Sequence, residues 1–294
     1  MAIKINFNGN IHEDVGISAL DHGFLFGDSV YEVICTHHGI PCFVDKHIRR
    51  LRGSAEGISL LLPYSDERFL TEIDRTLHAA ANIGESYIRI VVTRGIGEID
   101  IDPSSCECPN VFIYVTPLKS HPPALYENGI KIALVSIKRN VKEALNPAIK
   151  TGNYLNNVLA KIEANKLGAK DALMLNPWGH LTECTTSNFF FVSEGRIMTP
   201  SLDCGILSGI TREIIIQLAK ESGFLVEEGE WYPDELAKAD EAFITGTVRR
   251  VMPVTSLDGK LVGNGKPGPV TMKIIRLYEG LLKSLFIDKT PTFK

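Results

Sequence analysis

Ala148-Ile149-Lys150-Thr151-Gly152-Asn153-Tyr154 sets one lysine at the end of an apolar, strand-like run and just before a helix-compatible segment. Downstream, Glu183 stands in Leu181-Thr182-Glu183-Cys184-Thr185-Thr186-Ser187-Asn188, and Ser208-Gly209-Ile210-Thr211 opens another helix. An amine able to form a Schiff base, a carboxylate for a pyridine nitrogen and a phosphate-sized helix N-terminus are what pyridoxal phosphate requires of a protein. A lysine at the bottom of a cleft loses solvation, which lowers its pKa and frees the amine to attack an aldehyde. A carboxylate such as Glu183 would keep the pyridine nitrogen protonated and the ring a strong electron sink. That suits transamination, whereas an arginine there would suit racemisation.

Tyr154, the fourth residue after the lysine, is either a phenol for the cofactor's hydroxyl or a packed aromatic. Thr245-Gly246-Thr247-Val248 repeats the hydroxyl-glycine chemistry after a strand. Arg50, in His47-Ile48-Arg49-Arg50-Leu51, is either a phosphate-binding charge or a solvated helix charge.

Working outward, the first strand is expected over Ile3 to Asn8 and a second over Val30 to Ile34. One helix carries Ile48, Leu51, Ala55 and Ile58 on a single face. Another carries Phe69, Ile73, Leu77 and Ala80 and is expected to end near Gly84. Ser86 to Thr93 alternates, with Ile88, Ile90 and Val92 on one side and Tyr87, Arg89 and Val91 on the other. Its polar face is either a pocket wall or the solvated side of an edge strand. Pro117-Leu118-Lys119-Ser120-His121-Pro122-Pro123-Ala124 reads as a linker, because proline removes backbone donors and disfavours helix.

After Tyr154, Leu155, Val158, Leu159 and Ile162 form a helical stripe. Strands follow at Ala172 to Leu175, Asn188 to Val192 and Ala242 to Thr245. A helix through Ile214, Leu218 and Ala219 ends before Gly223, and a last helix starts at Pro269. Strands and helices mix without a regular βαβ rhythm, so the fold class is α+β, or loosely α/β, in two domains. The expected boundaries are 1–118 for a smaller N-terminal domain, 119–128 for a linker and 129–294 for a larger cofactor-binding domain.

The 294 residues carry 44% hydrophobic and 22% charged residues and a net charge of −4, with no basic tail. Nucleic acid and anionic membrane are therefore not expected as partners. No apolar stretch reaches the roughly 20 residues of a membrane span. The N-terminus shows no signal or transit character, and the six scattered cysteines read as reduced thiols, so the expectation is a cytoplasmic protein. Gly263-Asn264-Gly265-Lys266-Pro267-Gly268 matches a dinucleotide fingerprint literally, but Pro267 interrupts it and it reads as a hairpin loop. His37-His38 lacks partners at ligand spacing, and no metal is assigned.

These residues resemble the fold-type IV pyridoxal-phosphate aminotransferases, a group that includes branched-chain and D-amino-acid aminotransferases and aminodeoxychorismate lyases. The resemblance runs through nearly the whole chain. It rests on Phe26-Gly27-Asp28-Ser29-Val30-Tyr31-Glu32, the Arg50 and Lys150 segments, Glu183 with Ser187-Asn188, Gly209-Ile210-Thr211-Arg212, and Gly246-Thr247 with Met252-Pro253-Val254. It implies Lys150 as the Schiff-base lysine, Glu183 at the pyridine nitrogen and Tyr154 near the cofactor's hydroxyl. It implies Arg50, Ile210, Thr211 and Thr247 at the phosphate and Leu207 against the ring. Tyr31, Tyr87 and Arg89 would wall the substrate pocket, and the backbone at Thr247 and Val248 would receive the substrate carboxylate. Family members are dimers or larger, so a homodimer or higher homo-oligomer is expected.

The D-amino-acid enzymes carry an Arg-x-His carboxylate trap shortly after a Thr-Arg-Gly turn. Here Thr93-Arg94-Gly95 continues as Ile96-Gly97-Glu98-Ile99, without either residue. The resemblance therefore implies transamination of L-branched-chain amino acids with 2-oxoglutarate. A D-amino-acid aminotransferase and an aminodeoxychorismate lyase are the alternatives on the same fold. Val33, Cys35 and Val248-Arg249-Arg250 depart from the branched-chain pattern. If the last stretch is extended, only one of Arg249 and Arg250 faces the cleft.

Overall fold

The computed structural model describes residues Ile3–Phe286. By its internal contacts the chain divides into two compact units. One comprises residues 3–119 together with Ile149–Tyr154; the other comprises Ser120–Ala148 and residues 155–286. The lysine segment thus belongs with the N-terminal unit although the second unit's sequence surrounds it.

The first unit is a six-stranded antiparallel sheet built from β1 (Lys4–Phe7), β2 (Asn10–His12), β3 (Ser29–His37), β4 (Ile40–Pro41), β5 (Ser86–Thr93) and β6 (Asn110–Pro117). The spatial order is β2-β1-β6-β5-β3-β4. Three helices join them: α1 (His22–Leu25), α2 (Val44–Gly57) and α3 (Asp66–Ala80). Alternation decides the two faces of the sheet. Val30, Ile34, Ile88, Ile90, Val92, Val111, Ile113 and Val115 form one core with Ile48 and Leu51 of α2 and Phe69 and Ile73 of α3. Truncating one of these, for example Ile90→Ala, should cost about 2–5 kcal/mol. The opposite face carries Tyr31, Tyr87 and Arg89. β5 lies between β3 and β6, so it is an interior strand and not an edge.

α3 starts on Ser65, whose side chain accepts from the Arg68 N–H, with Asp66 and Glu67 in the first turn. It ends earlier than expected. Ala81 takes the left-handed conformation (φ 45°) that closes the helix, and Gly84 (φ 85°) turns the chain towards β5.

Among the described residues the second unit contains nine strands: β7 (Ile130–Lys138), β8 (Asp171–Leu175), β9 (Leu181–Cys184), β10 (Asn188–Ser193), β11 (Arg196–Pro200), β12 (Val226–Gly229), β13 (Glu241–Gly246), β14 (Arg250–Leu257) and β15 (Lys260–Leu261). The order β12-β11-β10-β13-β14-β7-β8-β9 folds back on itself, because β9 also pairs with β10 through Glu183 opposite Asn188. Six strands therefore close a ring, and Glu183 sits on the closing bridge. The expected linker contains a short helix, α4 (Pro123–Asn128), whose prolines occupy the start, where no N–H is needed. Residues 263–268 do not join two strands. They connect β15 to the last helix, and the hairpin is the Asp258-Gly259 turn between β14 and β15.

The remaining helices are α5 (Lys142–Leu145), α6 (Leu155–Lys166), α7 (Ile210–Glu221) and α8 (Pro269–Phe286). α6 buries a different face from the one its apolar stripe suggests. Ala160 and Ala164 pack with Ala133, Val135, Ala172 and Met174, and small side chains let the helix sit close to β7 and β8. Asn157 must also face inward, because its amide donates to the Thr185 carbonyl (2.7 Å). Leu155, Val158, Leu159 and Ile162 consequently face outward, each at least 45% exposed. Among the described residues no helix is long and apolar enough to cross a membrane.

Candidate active site

The first unit places the lysine. Ile149–Tyr154 runs along β3: the Tyr31 N–H donates to the Lys150 carbonyl (3.0 Å) and the Gly152 N–H to the Ser29 carbonyl (2.7 Å). The Lys150 N–H donates to Ser54 Oγ of α2 (3.1 Å). A Cβ on Gly152 would overlap Ser29 Oγ, so this close approach needs a glycine. With its backbone held on both sides, Lys150 directs its amine to two phenols. Nζ lies 3.3 Å from Tyr31 Oη and 3.2 Å from Tyr154 Oη. It also lies 4.3 Å from the Tyr31 ring centroid, and the two tyrosine rings meet edge to face at 5.3 Å. Burial, and then the neighbouring Tyr154, push the Tyr31 phenol up, so the Tyr31 hydroxyl stays protonated.

Arg89 stacks on the same Tyr31 ring, its guanidinium carbon 4.0 Å from the centroid, and Tyr87 stands two residues before it on that face of β5. Arg50 is oriented by a group that sequence patterning did not reveal. Its Nε and Nη2 donate to the two oxygens of Glu32, at 2.6 and 2.8 Å. His47 Nδ1 lies 2.7 Å from the same carboxylate. Burial alone would raise the Glu32 pKa, but hydrogen bonds and charge from Arg50 and then His47 hold it at about 2. Burial holds His47 below its ordinary value despite Glu32.

The second unit places the carboxylate. Glu183 is buried and hydrogen-bonded at both oxygens. Arg139 Nη2 and Nε donate to Oε1 at 2.8 and 3.1 Å, while the Asn188 amide and the Leu207 N–H donate to Oε2, both at 3.1 Å. Asn188 also donates to the Leu207 carbonyl (2.9 Å), so Leu207 is fixed beside Glu183. Arg139 is steadied by Asn157 Oδ1 (3.2 Å). Sequence patterning gives no role to Arg139, Asn157 or Asn188; Arg139 lies 44 residues from its partner.

Ile210 and Thr211 form the first turn of α7, both buried. The cap, Gly209, offers no side chain, and a Cβ there would overlap Asn188 Oδ1. A helix opening without a side-chain cap presents N–H donors and the positive dipole end to an anion. Thr247 and Val248 form the turn between β13 and β14. Beside it, Ser187 Oγ and Thr245 Oγ1 are buried without a hydrogen-bond partner. Such atoms are costly unless a ligand or water satisfies them. Arg249 and Arg250 do not lie in one extended run. Arg250 takes a left-handed conformation (φ 55°), and Arg249 is ion-paired with the buried Asp171.

The donor set fits pyridoxal phosphate chemically. The first unit supplies a held amine with phenols beside it. The second supplies a buried carboxylate, an uncapped helix start and unsatisfied hydroxyls.

Residues 29–257 match the family model of amino-transferase class IV. A Methanocaldococcus jannaschii protein named "Putative branched-chain-amino-acid aminotransferase" is 40% identical over 95% of this chain and 96% of its own length. A D-alanine aminotransferase of Listeria monocytogenes is 34% identical over 95% of each chain. Among solved structures, the branched-chain amino acid aminotransferase of Escherichia coli superposes with a TM-score of 0.92 at 31% identity, covering 99% of this chain and 98% of that one. The branched-chain amino acid aminotransferase of Thermobaculum terrenum in its PLP-form gives 0.85 at 28% identity, covering 96% and 94%.

Proposed function

This chain belongs to the class IV aminotransferases, and we propose that it transfers the amino group of L-branched-chain amino acids to 2-oxoglutarate with pyridoxal phosphate as cofactor. The observation that carries this reading is the Lys150 amine, 3.3 and 3.2 Å from two phenol oxygens on a backbone held on both sides. When bound, the cofactor supplies an aldehyde for the amine and a ring that draws electrons from the substrate Cα. Lys150 would hold the cofactor covalently, and its amine is placed to move the Cα proton. Tyr154 orients that amine and donates to the cofactor's hydroxyl. Glu183, held by Arg139, keeps the pyridine nitrogen protonated. Arg50, Ile210, Thr211 and Thr247 hold the phosphate, and Leu207 packs the ring. Tyr31 and Tyr87 wall an apolar substrate pocket, the Thr247 and Val248 backbone receives the α-carboxylate, and Arg89 suits the second carboxylate of 2-oxoglutarate.

The named functions of the Methanocaldococcus jannaschii relative and the Escherichia coli structure support the branched-chain reading, as does the absence of Arg-x-His after Gly95. A second reading, D-amino-acid transamination, is favoured by the 34% identity to D-alanine aminotransferases. A panel of L- and D-amino acids tests the two, read as loss of the bound-cofactor absorbance. Fastest conversion by L-leucine, L-isoleucine or L-valine is expected; faster conversion by D-alanine or D-glutamate overturns it. The working form is a homodimer or larger assembly, supported by the apolar residues that α6 turns outward. Light scattering reads its mass, and a monomer would contradict it.

A further inference from the structure

Asp171, the first residue of β8, is fully buried. Its Oδ1 accepts from the Thr185 N–H (3.2 Å) and the Thr185 hydroxyl (2.5 Å), which fixes the turn that follows Glu183. Its Oδ2 is ion-paired with Arg249 Nη1. The main chain of Arg249 is held as well, because Tyr126 Oη of α4 donates to its carbonyl (3.2 Å). The next residue, Arg250, pairs with Gly246 across the β13–β14 turn in a left-handed conformation (φ 55°). A side chain other than glycine adopts that conformation at a cost, so neighbouring contacts must hold the turn in shape.

We infer that Asp171 and Arg249 are a positioning pair: the buried carboxylate pins the Thr247–Arg250 turn through the guanidinium and so aims the Thr247 and Val248 backbone at the substrate carboxylate. This rests on the reading of that backbone given above. Arg249 acts here as a tether, not as a ligand of the substrate, since its charge is already matched by Asp171. The same carboxylate also holds Thr185, so one buried group sets two turns of the second unit.

Steady-state kinetics of the holoenzyme test the pair through Arg249→Ala, Arg249→Lys and Asp171→Asn, with thermal unfolding measured alongside. Removing an interaction that aims a binding group raises KM more than it lowers kcat. Arg249→Ala should raise the KM for 2-oxo acids about tenfold while kcat stays within about threefold. Arg249→Lys, which keeps a charge for Asp171, should restore most of the loss. Asp171→Asn should raise KM in the same direction, and the double variant should be no worse than the poorer single one. If Asp171→Asn does not fold, the Ala and Lys variants decide alone. An unchanged KM with only a lower thermal midpoint in Arg249→Ala overturns the inference. So does a lower KM for 2-oxoglutarate in Asp171→Asn, which would mean that the freed Arg249 binds substrate itself. No transamination by the wild-type chain would overturn the proposed function, and this inference with it.

Discussion

Both Arg139 donors converge on one oxygen of Glu183, Nη2 at 2.8 Å and Nε at 3.1 Å, leaving the other oxygen to Asn188 and Leu207. Two charges out of water are tolerated when each is paired and hydrogen-bonded, and removing one partner strands the other. Arg139→Ala should therefore lower unfolding free energy by about 3–5 kcal/mol in denaturant titration. A loss within about 0.5 kcal/mol, the range of ordinary surface substitutions, would mean that Glu183 does not depend on Arg139.

Glu183→Gln keeps the shape of the side chain and removes its charge. The variant should still bind the cofactor but move the Cα proton slowly. If the same 3–5 kcal/mol appears in turnover, the loss is roughly two to four decades of rate. Single-turnover absorbance changes measure it, and near-native turnover would remove Glu183 from the proposed role.

Tyr154→Phe removes one of the two phenols that touch Lys150 Nζ. A hydrogen bond to a charged group contributes about 1.5–3 kcal/mol, so the rate of the first half-reaction should fall roughly tenfold to a hundredfold. Unfolding temperature should change little, since Tyr31 still packs on the lysine. An equal loss of stability and no loss of rate would make Tyr154 a packing residue only.

Glu32 carries the acid sensitivity of the first unit. Its folded pKa, about 2, lies below its ordinary value of 4.5, so its stabilisation is complete above 4.5 and is lost as pH falls towards 2. The amount is on the order of 3 kcal/mol. His47, also depressed, adds a loss that begins as pH drops below its ordinary 6.5. Thermal midpoints of wild type and Glu32→Gln across this range should show a shallower acid slope in the variant. Identical slopes would contradict the assignment.

The local half of the site was legible in the sequence. The Lys150-Tyr154 spacing, the carboxylate in a Thr/Ser/Asn turn and the glycine before Ile210 are short-range patterns, readable without knowing what each residue meets in the fold. The partners were not legible, because nothing periodic links residues far apart in the chain. Arg139 reaches Glu183 across 44 residues, Arg50 reaches Glu32 across 18 and Arg249 reaches Asp171 across 78. α6 shows a different limit. Its large apolar residues form a stripe, but close packing of Ala160 and Ala164 and the inward Asn157 determine its orientation.

The central claim, that Lys150 holds the cofactor, has a direct chemical test. Borohydride reduction of the holoenzyme fixes the cofactor to its lysine, and proteolysis with mass spectrometry locates it. The expected label lies on Lys150, in the peptide that contains Thr151-Gly152-Asn153-Tyr154. A label on any other lysine, or none, would contradict the account.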